Sequence, residues 1–219
     1  MDGLLLALDT ATSVASVALY DGVNVRAEMT WESPRRHTVE LAPRVTAMLK
    51  ADASALTGLA VTLGPGSFTG LRIGLALAKG LALAQGLPLV GIPTLDVAVC
   101  PVNRRRGTLY AALQAGRGRI CLAPFRWRRG RWRRAGELTI STWAALAAEA
   151  EDGAIFCGEI DANGLAALAS RATKTTVVPS AQRLRRAGYL AELGWNRLAQ
   201  GEQDDLATLQ PLYLHTVPA

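Results

Sequence analysis

Two short stretches hold residue types able to do chemistry. Asp9-Thr10-Ala11-Thr12-Ser13 follows a short apolar run, and Gly64-Pro65-Gly66-Ser67-Phe68-Thr69-Gly70 lies between a second apolar run and a helical pattern. A carboxylate at a strand end can hold a hydrated Mg²⁺, and adjacent hydroxyls can hold phosphate. At a helix start, free backbone N–H groups can cradle an anion with help from the helix dipole. The candidate phosphate-loop residues are therefore Asp9, Thr10, Thr12, Gly64, Gly66, Ser67 and Thr69. The same types serve plainer ends. Asp and Thr make Asx and ST turns, Gly permits tight turns, and Ser67 or Thr69 can cap a helix. The Walker pattern fails, because Gly70 is followed by Leu71-Arg72 and no lysine stands at the phosphate position. The GxSxG elbow is also missing, since Ser67 follows Gly66 directly.

Histidine chemistry is narrow. The chain has 2 His, His37 and His215, so no HxxxH or HExxH metal spacing exists. His37 reads as a polar residue at a helix start. Three cysteines, Cys100, Cys121 and Cys157, are odd in number and widely spaced, with no CxxC. Reduced thiols in a cytosolic protein are expected.

The elements that must position these residues follow from the apolar patterning. Leu4 to Leu8 reads as a buried strand, Val14 to Tyr20 as a second, and Val23 to Trp31 as a third, with a hairpin signal at Asp21-Gly22. The chain thus opens as an antiparallel meander. Pro34 to Asp52 keeps helical spacing through Val39, Ala42, Val45, Met48 and Leu49. A strand at Leu59 to Leu63, a helix from Thr69 to Gln85 and a strand at Leu89 to Ile92 make a βαβ unit with parallel strands. Further strands are expected at Thr108 to Gln114, Ile120 to Trp127 and Ala154 to Cys157. Helices are expected at Trp143 to Ala150, Leu165 to Arg171 and Ala187 to Gln200, before an extended tail, Leu209 to Leu214.

The length of 219 residues, half of them apolar and 19% charged, supports a real core and excludes general disorder. No run combines spanning length with freedom from charge and breakers, and the acidic start does not read as a signal peptide.

The second helix is apolar almost all round. Only Arg72 and Lys79 mark a polar line, and Gly70, Gly74 and Ala78 form a small-residue strip. A helix of this kind must be covered on more than one side, by the fold itself or by another protein chain.

Composition shifts after Cys100. Arg104 to Arg134 holds eleven arginines, against three lysines in the whole chain. Arg126, Arg128, Arg131 and Arg133 alternate with Trp127 and Trp132 about a hairpin turn at Arg129-Gly130. Alternation puts Arg on one face and Trp on the other, so these four arginines are candidate nucleic-acid contacts, able to grip phosphates. The alternative is a solvated hairpin in a protein that uses Arg as its default cation. A domain boundary is placed near Pro101, giving units 1–100 and 101–219. Whether the helix at about 187–200 packs back on the first unit stays open.

Leu6-Ala7-Leu8-Asp9-Thr10-Ala11-Thr12, Gly64-Pro65-Gly66-Ser67-Phe68-Thr69-Gly70-Leu71-Arg72-Ile73-Gly74 and Gly91-Ile92-Pro93-Thr94-Leu95-Asp96 resemble the bacterial TsaB family, formerly YeaZ. The likeness is close over about the first hundred residues. It is looser beyond, through Arg106-Gly107-Thr108-Leu109-Tyr110 and Pro211-Leu212-Tyr213-Leu214, where His215 departs from the expected Arg. The resemblance implies an α/β actin/Hsp70-like (ASKHA) fold, two subdomains each with a mixed sheet flanked by helices. It implies a cytoplasmic role in forming N6-threonylcarbamoyladenosine beside the anticodon of tRNAs reading ANN codons. In that family the catalyst is the paralogue TsaD, which binds metal through HxxxH. TsaB is its non-catalytic partner, and the ATPase TsaE joins them.

The catalyst's metal histidines would fall near Thr94 and Ala98, and neither can stand in for an imidazole. No catalytic residue, no metal and no cofactor of the chain's own is therefore expected; a nucleotide at the partner interface and a homodimer of the isolated chain stay open. The family's interface is a bundle of the first two helices of each partner. Leu41, Val45, Met48, Leu71, Leu75 and Ala78 are the candidate interface residues. The competing readings are an enzyme of the same superfamily, either a nucleotide hydrolase or a glycoprotease-like protein, and a stand-alone RNA-binding module.

Overall fold

The strands of the first unit are built from Leu, Val and Ala runs whose alternate side chains feed two different cores. In the computed structural model, which describes residues 3–34, 36–50, 53–171 and 174–213, the chain opens with β1 (Leu4–Asp9), β2 (Val14–Tyr20) and β3 (Val25–Glu32), an antiparallel meander. Helix α1 (His37–Leu49) follows, then β4 (Leu56–Gly64), α2 (Phe68–Gln85) and β5 (Leu89–Pro93). Strand β4 pairs with β1 and β5 in parallel, so the five-stranded sheet runs β3-β2-β1-β4-β5. The expected meander and βαβ unit are both present.

Helix α1 is shorter than its expected span of Pro34 to Asp52. Residues 51 and 52 lie outside the described residues, and α1 begins only at His37. Pro43 sits inside α1 on its exposed side, where its missing N–H is least costly. Helix α2 is capped at its start by the Ser67 hydroxyl, which accepts from Gly70 N at 3.2 Å. It stops at Gly86, whose φ of 64° is left-handed.

Helix α3 (Thr94–Val99) contains the boundary between the two compact units, which falls between Val97 and Ala98. The second unit is built on β6 (Leu109–Gln114), β7 (Arg119–Arg128), β8 (Arg131–Arg134), β9 (Thr139–Thr142), β10 (Ile155–Gly158) and β11 (Thr176–Val177). Its sheet runs β11-β10-β6-β7-β8, with β9 also on β7. Strands β6 and β7 are antiparallel, while β10 runs parallel to β6 and β11. Helices α4 (Trp143–Glu149) and α5 (Ala162–Ala169) cover one face, where Trp143, Leu146 and Leu168 pack with Ile120, Leu122 and Phe156. Thr142 caps α4 and Asp161 caps α5. A short helix, α6 (Ser180–Arg183), closes the unit.

Helix α7 (Ala187–Ala199) belongs to the first unit, which takes back residues 186–213. The sequence boundaries placed this stretch in the second. Ala187, Leu190 and Ala191 pack on Leu5, Ala7, Ala60 and Val90, the faces of β1, β4 and β5 that α1 and α2 leave free. Leu6, Leu8, Val61 and Leu89 point the other way, into the core beneath α1 and α2. A period-two pattern fixes which residues share a face, but not which helix will cover it. The tail beyond α7 returns to the sheet at two points, Asp204 N donating to Leu89 O at 2.9 Å and Leu212 N to Leu63 O at 2.7 Å.

Candidate functional site

The two Gly/Thr stretches form a single junction in the first unit. Asp9 ends β1 fully buried, and its Oδ1 accepts from Ala11 N at 2.9 Å and from Thr62 Oγ1 at 3.2 Å. This is an Asx turn braced by the neighbouring strand. The buried Thr10 hydroxyl donates to Gly70 O at 2.7 Å, and Ser67 N donates to Ala11 O at 2.6 Å. Thr12 is buried too; its carbonyl accepts from His37 Nε2 at 2.8 Å, tying the start of α1 to the same turn.

The spacing of the glycines follows from this contact. A Cβ at Gly66 would sit 2.2 Å from Ala11 O, at Gly70 2.2 Å from Thr10 O, and at Gly74 2.2 Å from Thr10 Oγ1. The small-residue strip on α2 is thus filled by the β1–β2 turn of the same chain. Gly64 has a φ of 118°, and a Cβ there would meet Leu212 O at 2.6 Å. Of the candidate phosphate-loop residues, Gly66, Ser67 and Thr69 face the surface. Asp9, Thr10, Thr12 and Gly64 are withdrawn into the junction.

The candidate interface residues occupy other places than the sequence reading gave them. Leu41, Val45, Leu71, Leu75 and Ala78 are buried inside this chain, and Met48 is half-buried. They are the inner faces of α1 and α2, since both helices need an apolar stripe against the sheet before any partner arrives. The outer faces carry Val39, Ala42, Pro43, Thr46 and Ala47 on α1, and Ala76, Gly80 and Leu83 on α2. Val39 is 63% exposed and Leu83 72%. None of these eight is charged; Arg72, one turn before Ala76 on the same line of α2, is the one charged residue among the exposed positions of the two helices.

Sequence reasoning missed a cluster at the start of α2. Arg72 stacks 3.7 Å from the Phe68 ring, its Nε donates to the Tyr213 hydroxyl at 2.9 Å, and the two rings lie 5.2 Å apart. Phe68 and Arg72 show the spacing of one helical turn, but nothing local announces a partner 141 residues away.

In the second unit, β7 and β8 form the expected hairpin. Arg129 and Gly130 have φ of 50° and 81°, as a two-residue type I′ turn requires. Arg126, Arg128, Arg131 and Arg133 are exposed on one face. Trp127 and Trp132 lie on the other as an edge-to-face pair with centroids 5.5 Å apart. The Trp132 indole N–H donates to Val102 O at 2.8 Å.

Among the described residues, no group of three or more His, Cys, Asp and Glu comes together as a metal site. Thr94 and Ala98 are both buried on α3. Burial pushes the Cys121 thiol up to about 12, and raises Cys157 as well. These thiols are packing residues rather than thiolate nucleophiles. No helix among the described residues is long and apolar enough to cross a membrane.

A mixed sheet of order β3-β2-β1-β4-β5 in the first unit and a second mixed sheet in the other define an α/β protein of the actin-like ASKHA class. A family model described as "TsaD: tRNA N6-adenosine threonylcarbamoyltransferase" matches residues 25–215. The chain is 40% identical over 126 residues to the tRNA threonylcarbamoyladenosine biosynthesis protein TsaB of Escherichia coli (strain K12), covering 55% of this chain and 54% of that one. It is 26% identical over 222 residues to the protein of the same name from Bacillus subtilis (strain 168), covering 98% and 95%. The match thus spans about half of the first relative and nearly all of the second. Among solved structures, YeaZ from Pseudomonas aeruginosa superposes with a TM-score of 0.78 at 26% identity, over 98% of this chain and 100% of that chain. The chain belongs to the TsaD family of proteins, within its TsaB (YeaZ) group.

Proposed function

We propose that this protein is the non-catalytic scaffold subunit of the cytoplasmic machinery that forms N6-threonylcarbamoyladenosine on tRNA. It pairs with the catalytic TsaD and helps recruit TsaE. Its relatives are named for this pathway. The observation that carries the scaffold reading is the sparsely charged outer face of α1 and α2, where Arg72 is the one charged residue among the exposed positions, on a chain whose formal charge is +6. Exposed faces of this kind mark protein interfaces. The absence of the HxxxH pattern from the sequence, with Thr94 and Ala98 near its place, supports a role without metal catalysis of its own.

The test is association with TsaD of the same organism, measured as mass by light scattering, with Ala76→Arg as the variant. Ala76 is exposed, so the substitution leaves the fold intact. The reading expects a heterodimer with the wild-type chain and its loss with the variant. A heterodimer that survives Ala76→Arg moves the interface elsewhere. Absence of any heterodimer, with TsaE and nucleotide present, overturns the scaffold role.

A further inference from the structure

The β7–β8 hairpin is not used by the scaffold reading, and its charge arrangement runs against its own stability. Arg126 is registered opposite Arg133, and Arg128 opposite Arg131. Directly opposed residues share a face about 4.5–5.5 Å apart, and like charges there repel. Residues two apart on a strand lie roughly 6.5 Å from each other. Four guanidinium groups therefore project from one small patch. Among the described residues, Arg126 reaches Glu151 at 3.8 Å, whereas Arg128, Arg131 and Arg133 face no carboxylate within ion-pairing distance. The patch is also rigid. The two-residue turn fixes the register, and the Trp127–Trp132 pair and the Trp132–Val102 hydrogen bond pin the opposite face.

We infer that Arg126, Arg128, Arg131 and Arg133 form a docking surface for the phosphate backbone of RNA. The planar guanidinium is suited to phosphate, and a polyanion would relieve the repulsion that the hairpin carries alone. RNA rather than a lipid surface fits because this face holds no apolar side chain to insert between lipids; both tryptophans point away from it. The choice of RNA rests on the tRNA pathway adopted under the proposed function. The charge argument does not depend on it. The β8 strand is also a sheet edge, where charge guards against strand addition. The experiment separates that role from docking.

The probe is a fluorescently labelled, unmodified tRNA transcript, titrated with the full chain by anisotropy from about 50 to 200 mM salt. Two variants carry all four substitutions, Arg→Gln in one and Arg→Lys in the other, each checked for folding by its thermal melt. The wild-type chain binds with a steep salt slope. The Gln variant binds at least about tenfold more weakly, and its slope is shallower by about 3, near 0.7–0.9 for each phosphate no longer neutralised. The Lys variant keeps most of the slope, because charge is conserved. A wild-type chain without salt-sensitive RNA binding, or a Gln variant that retains it, overturns the proposal. Self-association of the Gln variant, with no RNA binding by the wild type, assigns the arginines to edge protection and also overturns it. So does binding to phosphatidylserine vesicles in place of RNA. Pairing with TsaD is measured on the same samples. A chain that pairs but ignores RNA removes this inference alone; one that binds RNA but does not pair removes the scaffold reading alone.

Discussion

The junction of β1, β2 and α2 and the β7–β8 hairpin both rest on glycine, for opposite reasons. At Gly66 and Gly70 the backbone of the neighbouring turn occupies the place of a side chain, within 2.2 Å of where a Cβ would be. At Gly130 nothing lies within 4 Å, and the requirement is a positive φ alone. The first region is specified by tertiary packing and tolerates no added atom. The second is specified locally and leaves its outer surface free for charge. The chain thus keeps its rigid frame in one unit and a solvent-facing cationic array in the other.

The largest expected effect lies under the junction. Leu75 is 6% exposed, so Leu75→Arg places an uncompensated charge in the core beneath α2. It should cost about 3–5 kcal/mol and show as loss of the cooperative melt. If Leu75→Arg instead folded normally and lost only its partner, the inner face of α2 would be the interface after all. The adjacent Ala76→Arg, on the outer face, should keep its melting temperature.

Next comes the junction itself. Gly70→Ala brings a methyl against the Thr10 carbonyl and should destabilise by about 1–3 kcal/mol in denaturant unfolding. Gly80→Ala, on the same helix with no neighbour within 4 Å, should instead be neutral to slightly stabilising. Equal costs at the two positions would dissolve the contrast between packed and free glycines.

The smallest effect belongs to the hairpin. Arg129 holds a φ of 50°, a conformation that Asn accepts more readily. Arg129→Asn should raise stability by roughly 0.5–1 kcal/mol, read from the melting temperature, while leaving the four arginines of the ribbon in place. A destabilised variant would mean that the Arg129 side chain contributes beyond the turn.

Much of the architecture was legible because its signals are local. The apolar runs of β1 and β2, the Gly86 stop of α2 and the Arg129-Gly130 turn each depend on a few adjacent residues. The short strands β9 and β11 and the helices α3 and α6 were not expected, since segments of two to six residues carry too little periodicity. The site was legible only in part. Asp9, Thr10 and the glycines stood out by type, but the sequence showed them as two separate loops. The Thr10–Gly70 hydrogen bond, across 60 residues, makes them one.

The amino-acid sequence by itself determined the family resemblance, the order of the principal strands and helices, and the facing of arginine and tryptophan on the hairpin. These follow from residue type, spacing and the period-two pleat. Tertiary structure alone decided which side of α1 and α2 is left exposed, that α7 returns to the first unit, and that the space at Gly70 and Gly74 of α2 is filled by Thr10. Each of those is a choice between surfaces of similar apolar character. Such a choice is settled by which distant segment of the chain arrives to cover them.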